Sequence, residues 1–326
     1  MSTPKRMRVC AIDIGSNSIR LLVVELVAPE IPDSAMTTLA RAGEVCRLGR
    51  GLERTGTIEP ELAERAVSLV AEFLRRARNL GVSHVVIGAT AALRNASNGG
   101  EVAAIISART GVPVRVLSGD DEARMVYRSV VSGLGAGALR NACVVFDLGG
   151  GSTEVVSGMG EEAGRWVSLP FGAVSLTERH LHSDPPSAPE IHELLTEVRG
   201  SLMHECAYMP ARTPLLAGVG GTVTVLASMD RDLAAYEPGL IEGWVIRPER
   251  LEALVAQLVG ANHEERRSLS VMGEGRADIV VAGALAVSVL AARFPAPGLV
   301  CSTRGLRYGL ARLAAQEVVR QSPDPP

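Results

Sequence analysis

The chain has 326 residues, of which 47% are hydrophobic, and its formal net charge is −3. This length suits two domains with a large core, and the charge balance excludes a general affinity for nucleic acid. No segment combines enough apolar length with freedom from charge to span a bilayer, and Asp13 interrupts the apolar run that would form a signal peptide. We expect a cytoplasmic protein with no nucleic-acid partner and no membrane partner.

The five cysteines are scattered without CxxC spacing, which argues against a disulfide framework or a zinc site.

The first half of the chain predicts a sheet flanked by helices. Apolar runs at 9–14 and 19–27 flank turn residues and predict a hairpin, and 36–42 predicts a third strand. Apolar residues at helical spacing follow Pro60 as far as Leu80, where Gly81 suits the helix end. The elements predicted next are a strand at 84–88, a helix at 101–108, a strand at 114–117 and a helix from Ser118 to about 131.

The second half restarts the pattern after a glycine-rich break at 133–138. A strand at 142–147, a glycine turn, a strand at 153–157 and a strand at 165–169 come first. The later elements are helices at 188–206, 247–259, 274–292 and 305–319, strands at 215–219 and 299–301, and a helix after Gly220-Gly221-Thr222. We expect the tail at 320–326 to be disordered.

The two halves share one order of hairpin, third strand, helix, strand and helix. The segment Asp13 to Ser18 matches Asp147 to Ser152, and in each case a strand ends in a carboxylate before the turn. This duplication predicts an α/β fold of two domains, each with a mixed five-stranded sheet, whose turns face one another across an interdomain cleft. The predicted domains are 1–132 and 133–304, with helix 305–319 packing near the first.

The turn Gly149-Gly150-Gly151 is a candidate phosphate site. Glycine tolerates positive φ and has no Cβ, so a glycine turn can press its amides against an anion. Ser152 and Thr153 add hydroxyl donors, while Asp147 and Glu154 can hold a cation. The segment suits a phosphate that carries Mg²⁺, but an ordinary glycine-rich hairpin explains it equally well by itself.

Other residues carry weaker signals. Gly220-Gly221-Thr222 opens a helix, where free amides favour an anion, although a tight strand-to-helix connection explains it as well. Glu122 either complements the dipole of its helix or takes a proton from an attacking water. Arg20 and Arg94 flank the turns and can clamp phosphate oxygens, although a surface salt bridge explains each of them alone.

Ordered blocks along nearly the whole chain resemble the exopolyphosphatase and guanosine pentaphosphate phosphohydrolase family, which belongs to the actin-like ATPase superfamily with acetate and sugar kinases. The blocks are 11–18, 89–96, 117–124, 146–154, 168–174, 218–224, 275–278 and 304–307. The resemblance implies two ribonuclease H-like domains of the actin-like type and a homodimer. It also implies a short form that lacks the C-terminal helical domain of longer members.

The resemblance implies an enzyme that removes the terminal phosphate from inorganic polyphosphate with Mg²⁺, or alternatively Mn²⁺, as the cofactor. Glu122 would be the catalytic base, Asp147 and Glu154 would bind the metal, and Asp13 would contact it through water. The resemblance assigns phosphate binding to Ser16, Asn17, Arg94, Gly150, Ser152 and Thr153. Turn chemistry adds Ser18, Arg20, Gly149, Gly151, Gly220, Gly221 and Thr222.

Two alternative functions stay open at this point. Guanosine pentaphosphate also ends in a phosphoanhydride, and a catalytically weak sensor of polyphosphate or guanosine alarmones would need the same binding loops. The chain departs from the family pattern at Asp121 and Thr303, where the family usually has glutamate and aspartate, and at Tyr308, where it has glutamate. These departures concern the substrate rather than the fold.

Overall fold

The computed structural model describes residues 6–27, 36–273 and 275–321. The chain divides into two compact units, of which unit 1 comprises residues 1–133 and 306–326 and unit 2 comprises residues 134–305. The last helix extends to Gln321, two residues into the predicted disordered tail. The rest of that tail, 322–326, lies outside the described residues.

Unit 1 contains a mixed five-stranded sheet. Its strands are β1 (Arg6–Ile14), β2 (Ser18–Val27), β3 (Thr37–Val45), β4 (His84–Ala89) and β5 (Val114–Val116). Their order is β3-β2-β1-β4-β5, and β1 pairs antiparallel with β2 but parallel with β4. Central β1 is an almost continuous apolar run because both of its faces are covered.

Helices cover the unit 1 sheet. They are α1 (Leu52–Thr55), α2 (Pro60–Asn79), α3 (Ala91–Asn95), α4 (Gly99–Thr110) and α5 (Gly119–Leu134). The apolar stripe predicted for α2 is its buried face, which includes Leu62, Val70 and Phe73. These side chains belong to one hydrophobic cluster with Ile12 and Leu21 of the sheet.

Unit 2 repeats this plan with six strands instead of the predicted five. Its strands are β6 (Ala142–Leu148), β7 (Thr153–Met159), β8 (Glu162–Leu169), β9 (Leu215–Val219), β10 (Val245–Ile246) and β11 (Leu299–Cys301). The order is β10-β11-β9-β6-β7-β8. The sixth strand, β10, has only two residues, which is too short to produce a periodic sequence pattern.

The described part of unit 2 contains more helices than predicted, and the additional ones are short. They are α6 (Ala136–Leu139), α7 (Ala173–His180), α8 (Ala188–Glu205), α9 (Gly221–Asp230), α10 (Pro238–Ile241), α11 (Pro248–Gly260), α12 (His263–Ser268) and α13 (Val280–Arg293). The predicted helix at 274–292 begins only at Val280. Gly273 and Gly275 both have a left-handed φ of +66°, which a helix cannot accommodate.

The strand orders confirm the predicted duplication. The order β3-β2-β1-β4-β5 in unit 1 corresponds to β8-β7-β6-β9-β11 in unit 2. The final helix, α14 (Leu306–Gln321), packs on β1 and β4 and so completes unit 1. Across the described ranges, no helix has the length and apolar character needed to cross a membrane.

Candidate functional site

The sheet of unit 1 brings its predicted site residues to one edge. Strands β1, β4 and β5 are parallel neighbours, so their carboxyl ends lie at the same edge of the sheet. The turn 15–18 follows β1, Arg94 lies on the helix after β4, and Glu122 lies on the helix after β5.

Glu122 and Arg94 form an ion pair. Nη1 of Arg94 donates to Oε2 of Glu122 at 2.8 Å and to the carbonyl oxygen of Leu117 at 3.0 Å. Glu122 is only 6% exposed. The helix start that carries it is capped because Ser118 Oγ accepts from the N–H of Asp121 at 3.1 Å. Two predicted residues that lie 28 positions apart in the chain are therefore in contact.

The turn 15–18 is held through its carbonyl groups. The carbonyl oxygen of Asn17 accepts from the N–H groups of Cys46 and Arg47 at 2.9 and 2.8 Å, and that of Ser16 accepts from Gly49 at 2.8 Å. Gly49 permits this approach, since a Cβ there would lie 2.9 Å from the Ser16 Cβ. The segment after β3 thus fixes the turn.

Two arginine side chains lie near Asp13, the carboxylate that precedes this turn. The antiparallel ladder places Arg20 directly opposite Asp13. Burial raises the pKa of the Asp13 carboxyl, and the charges of Arg20 and Arg307 oppose that rise. Nε of Arg20 also donates to Ser18 Oγ at 3.1 Å, which leaves the hydroxyl hydrogen of Ser18 for another acceptor.

The glycine turn of unit 2 is held in the same way. The carbonyl oxygen of Gly149 accepts from Ala173 N–H at 2.9 Å, and that of Gly150 accepts from Val174 and Ser175 at 2.8 and 3.1 Å. These donors are the first amides of α7, in the segment after β8. None of the three turn glycines has a left-handed φ, so this turn does not use the tolerance of glycine for positive φ. The glycine that close approach requires is Gly172, where a Cβ would lie 2.5 Å from the carbonyl carbon of Gly150.

The amides of both turns are available to a ligand. Within residues 6–27, 36–273 and 275–321, the backbone N–H groups of Ser16, Asn17, Gly150 and Gly151 donate to no protein acceptor. Paired carbonyls beside unpaired amides form the donor arrangement that binds anions. This arrangement recurs in both units and includes residues that we predicted to bind phosphate.

Asp147 and Glu154 lie directly opposite each other on β6 and β7. Glu154 is 2% exposed, and its Oε1 accepts from Ser168 Oγ at 2.8 Å. Carboxylates held opposite one another repel, so a nearby cation is favourable. Mg²⁺ commonly binds one or two carboxylates and completes its shell with water and phosphate oxygens. The pair fits that requirement.

A cation at this pair would depend on ligands from outside the protein. The described portions of the chain contain no group of three His, Cys, Asp or Glu residues that could hold a metal ion. Water and a phosphate-bearing substrate would therefore supply the other oxygen ligands. The water-mediated role of Asp13 stays a prediction.

Ser152 and Thr153 differ in what their hydroxyl groups do. Thr153 is fully buried, and its hydroxyl donates to the carbonyl oxygen of Phe171 at 2.7 Å. A hydroxyl has one hydrogen, so in this arrangement the Thr153 side chain holds the turn rather than donating to phosphate. Ser152 is 5% exposed, and its carbonyl oxygen accepts from Gly149 N–H at 3.0 Å, which closes the turn.

The third predicted turn lies at the same sheet edge as the glycine turn. Val219 is the parallel register partner of Asp147, and Gly220 follows it with a φ of +117°. A Cβ at Gly220 would lie 2.4 Å from the Leu148 carbonyl oxygen, so only glycine fits. The amides of Gly221 and Thr222 begin α9, and the Gly221 carbonyl oxygen accepts from Arg276 Nη1 at 3.3 Å.

The sequence assigned no role to three residues that shape these sites. Ser168 and Gly172 lie in a block that resembles the family, but their contacts depend on strand register and on the fold of the segment after β8. Glu242 accepts hydrogen bonds from Ser302 and Thr303. It lies beside the two-residue strand β10, where no motif indicates a site.

Known proteins resemble this chain over most of its length. A sequence model of the Ppx/GppA phosphatase family matches residues 26–315. Exopolyphosphatase 2 of Mycobacterium tuberculosis is 34% identical over 293 residues, which cover 87% of this chain and 90% of that protein. The crystal structure of an Aquifex aeolicus member of the Ppx/GppA protein family has a TM-score of 0.80 at 27% identity and covers 98% of this chain and 100% of its own. An exopolyphosphatase structure from Cytophaga hutchinsonii has a TM-score of 0.82 at 26% identity, with 93% and 96% coverage.

Proposed function

Because the chain belongs to the Ppx/GppA phosphatase family, we propose that it is an exopolyphosphatase, which hydrolyses the terminal phosphoanhydride bond of inorganic polyphosphate. The products are one orthophosphate and a chain shortened by one phosphate. Relatives that carry the name exopolyphosphatase support this substrate. The observation that carries the proposal is the recurrence, in both units, of turns with paired carbonyls and unpaired amides.

In the proposed reaction, the oxygen of a water molecule attacks the terminal phosphorus, and the bond to the bridging oxygen breaks. The electron pair of that bond goes to the departing phosphate chain. Glu122 orients the water and accepts its proton, for which its carboxylate oxygens are suited. No covalent intermediate is required, because positioning and electrostatic stabilisation supply most of the catalysis in phosphoryl transfer.

Binding of the terminal phosphate is assigned to the turns. The amides of Ser16, Asn17, Gly150 and Gly151 are the proposed main-chain donors, with the side chains of Ser16, Asn17, Ser18 and Ser152. Arg20 and Arg94 add charge, while Gly149, Thr153 and Gly220 shape the turns. The first amides of α9, at Gly221 and Thr222, are proposed to bind phosphate oxygens with the helix dipole.

We assign a divalent cation, Mg²⁺ with Mn²⁺ as the alternative, to Asp147 and Glu154, with Asp13 contributing through water. A bound Mg²⁺ would neutralise charge on the phosphate oxygens. The two carboxylates fit it because they are oxygen ligands held on one face of the sheet.

The experiment that tests this function measures orthophosphate release with Mg²⁺ and with EDTA. The substrates are short polyphosphate, long polyphosphate, guanosine pentaphosphate and ATP. We expect Mg²⁺-dependent release from polyphosphate to exceed release from both nucleotides. No release from polyphosphate of any length contradicts the proposal, and faster release from guanosine pentaphosphate reassigns the substrate.

We further propose a cytoplasmic homodimer. The dimer rests on the family, and the compartment is carried over as an expectation from the sequence. Light scattering at several protein concentrations tests the dimer, and a monomeric mass at all of them contradicts it. Fractionation of cells that express the full chain tests the compartment.

A further inference from the structure

We propose that Glu242 is a positioning residue that holds the loop 302–305 against Asp147 and thereby sets how tightly a divalent cation binds there. The inference rests on the proposed function, because it takes Asp147 to be part of the metal site. Glu242 itself contacts the loop and not the cation.

The carboxylate of Glu242 accepts three hydrogen bonds from two consecutive residues. Its Oε1 accepts from Ser302 Oγ at 2.9 Å. Its Oε2 accepts from both the N–H and the Oγ1 of Thr303, each at 2.7 Å. Hydrogen bonds to an ionised carboxylate are about twice as strong as those between neutral groups. This cluster therefore fixes the loop more firmly than ordinary turn contacts would.

The backbone that follows Glu242 is held against β11. Gly243 N–H donates to the Cys301 carbonyl oxygen at 2.9 Å, and Cys301 N–H donates to Trp244 at 2.7 Å. The pairing of β10 with β11 continues this contact. The pairing of residues 243–246 with the strand β11 therefore holds Glu242 beside the loop.

The loop connects this cluster to Asp147. Ser302 Oγ accepts from Arg304 N–H at 3.1 Å, and Ser302 N–H donates to the Gly218 carbonyl oxygen at 2.9 Å. Gly305 then lies beside Asp147, since an added Cβ would be at an ordinary van der Waals distance, 3.7 Å, from its Oδ2. A shift of the loop would therefore change the surroundings of the Asp147 carboxylate, which is assigned to the metal.

The hydrogen bonds that stabilise the Glu242 carboxylate come from neutral donors. Among the described residues, no Lys, Arg or His side chain lies within 4.0 Å of it as an ion-pair partner. Glutamine has the shape of glutamate, but one of its two oxygens becomes an NH₂ group that cannot accept a hydrogen bond. Glu242→Gln therefore replaces charge-assisted hydrogen bonds with weaker neutral ones, and it must either reverse the direction of the Ser302 hydrogen bond or lose the one from the Thr303 N–H.

The test measures Mn²⁺ binding by the electron paramagnetic resonance signal of the free ion, on the full chain without substrate. The site is defined as the binding that is lost in Asp147→Asn. We expect Glu242→Gln to raise the dissociation constant of that site about tenfold and to raise the Mg²⁺ concentration for half-maximal phosphate release in parallel. The matched control is Glu252→Gln, an exposed carboxylate of the same unit, which should bind as wild type does.

Two substitutions of Thr303 keep the inference testable if Glu242→Gln does not fold. Thr303→Val removes the hydroxyl and should weaken Mn²⁺ binding, whereas Thr303→Ser keeps the hydroxyl and should restore it. Wild-type Mn²⁺ affinity in folded Glu242→Gln, or in Thr303→Val, overturns the inference. If the wild type releases no phosphate but Glu242→Gln still weakens Asp147-dependent Mn²⁺ binding, the proposed function fails and the positioning role stands.

Discussion

Arg20 lies opposite Asp13 in unit 1, at the ladder position that Glu154 occupies opposite Asp147 in unit 2. Each pair lies next to the last residue pair before its hairpin turn. The two turns therefore have the same backbone pairing but different charged side chains beside them. An arginine beside the first turn favours phosphate oxygens, whereas a second carboxylate beside the other favours a cation. One duplicated scaffold thus places two different charge arrangements beside its turns.

Replacing Glu122 should remove most of the activity. Glu122→Gln keeps the size of the side chain but cannot accept a proton from water, so we expect kcat for polyphosphate to fall about 10²- to 10⁴-fold with little change in KM. Steady-state assays of orthophosphate release measure this change. Asp120→Asn is the matched control, because Asp120 lies in the same first turn and, among the described residues, its side chain pairs only with exposed Arg124. A kcat close to wild type in Glu122→Gln removes the catalytic assignment.

Replacing the paired carboxylates should change the metal requirement. Asp147→Asn or Glu154→Gln should raise the Mg²⁺ concentration for half-maximal activity about 10- to 100-fold, and Ser168→Ala about tenfold, because Ser168 orients Glu154. A Mg²⁺ titration of phosphate release measures this requirement. Ser157 lies on β7 with Glu154, and within the described residues its hydroxyl bonds only to a backbone carbonyl oxygen, so the titration of Ser157→Ala should match wild type. Unchanged Mg²⁺ dependence in the carboxylate variants argues against the metal assignment.

Gly172 and Gly200 should respond oppositely to alanine. A Cβ at Gly172 would meet the backbone of Gly150 at 2.5 Å, so Gly172→Ala should destabilise the protein by about 1–3 kcal/mol and lower its activity. Apart from the backbone of α8 itself, no atom of the described residues lies within 4 Å of a Cβ at Gly200, so Gly200→Ala should stabilise the protein by about 0.5–1 kcal/mol. Urea unfolding measures both changes. Equal stability of the two variants contradicts the steric explanation.

Glu317 should contribute stability that is lost in acid. Hydrogen bonds from Arg115 and His84 lower the pKa of Glu317 below its ordinary value of 4.5. A carboxyl group whose pKa is lowered by folding stabilises the protein at pH values above its unfolded-state pKa. This stabilisation disappears as the pH falls through its folded-state pKa. Because the pair is partly exposed, Glu317→Gln should cost less than about 1 kcal/mol at pH 7.

The difference between wild type and Glu317→Gln should therefore shrink between pH 5 and pH 3, as followed by urea unfolding at each pH. Glu252→Gln provides the comparison for an exposed carboxylate. A difference that grows in acid would contradict the sign.

The cysteines should be unreactive in the folded protein. All five are buried, and burial raises the pKa of Cys10 to about 12 and those of Cys46 and Cys206 to about 11. The thiolate is the reactive form, so a thiol reagent at pH 8 should modify the native chain slowly and all five residues after unfolding. Rapid reaction of native Cys10 would contradict its burial.

The same shifts predict a loss of stability in alkali. As pH rises above the unfolded value of 9.0, unfolded thiols release protons that the folded state retains, so the free energy of unfolding should fall.

The repeated order of elements could be predicted from sequence because hydrophobic periodicity and turn residues act locally. The hairpins around 15–18 and 149–152 and the helix that carries Glu122 follow from such signals. The contact between Arg94 and Glu122 follows less directly, since it requires that β1, β4 and β5 be parallel neighbours.

Other features depend on tertiary register and lie beyond local patterns. Ser168 lies opposite Glu154 because the register between β7 and β8 shifts near Val156. The hydrogen bond of the Thr153 hydroxyl depends on the position of the Phe171 carbonyl oxygen. Glu242 follows a four-residue helix and precedes a two-residue strand, so no periodicity marks it. The hydrophobic pattern predicts too early a start for α13, because the left-handed φ of Gly273 and Gly275 has no hydrophobic signature.

The carbonyl contacts of the two turns bear on product release. Amides that are fixed before the substrate arrives can bind a phosphate without the entropy cost of ordering the turn. Free orthophosphate carries the same kind of oxygen atoms as the terminal phosphate of the polymer. Orthophosphate should therefore compete with polyphosphate and slow the enzyme as it accumulates. A cell that stores phosphate in the polymer would then release it fastest when free phosphate is scarce.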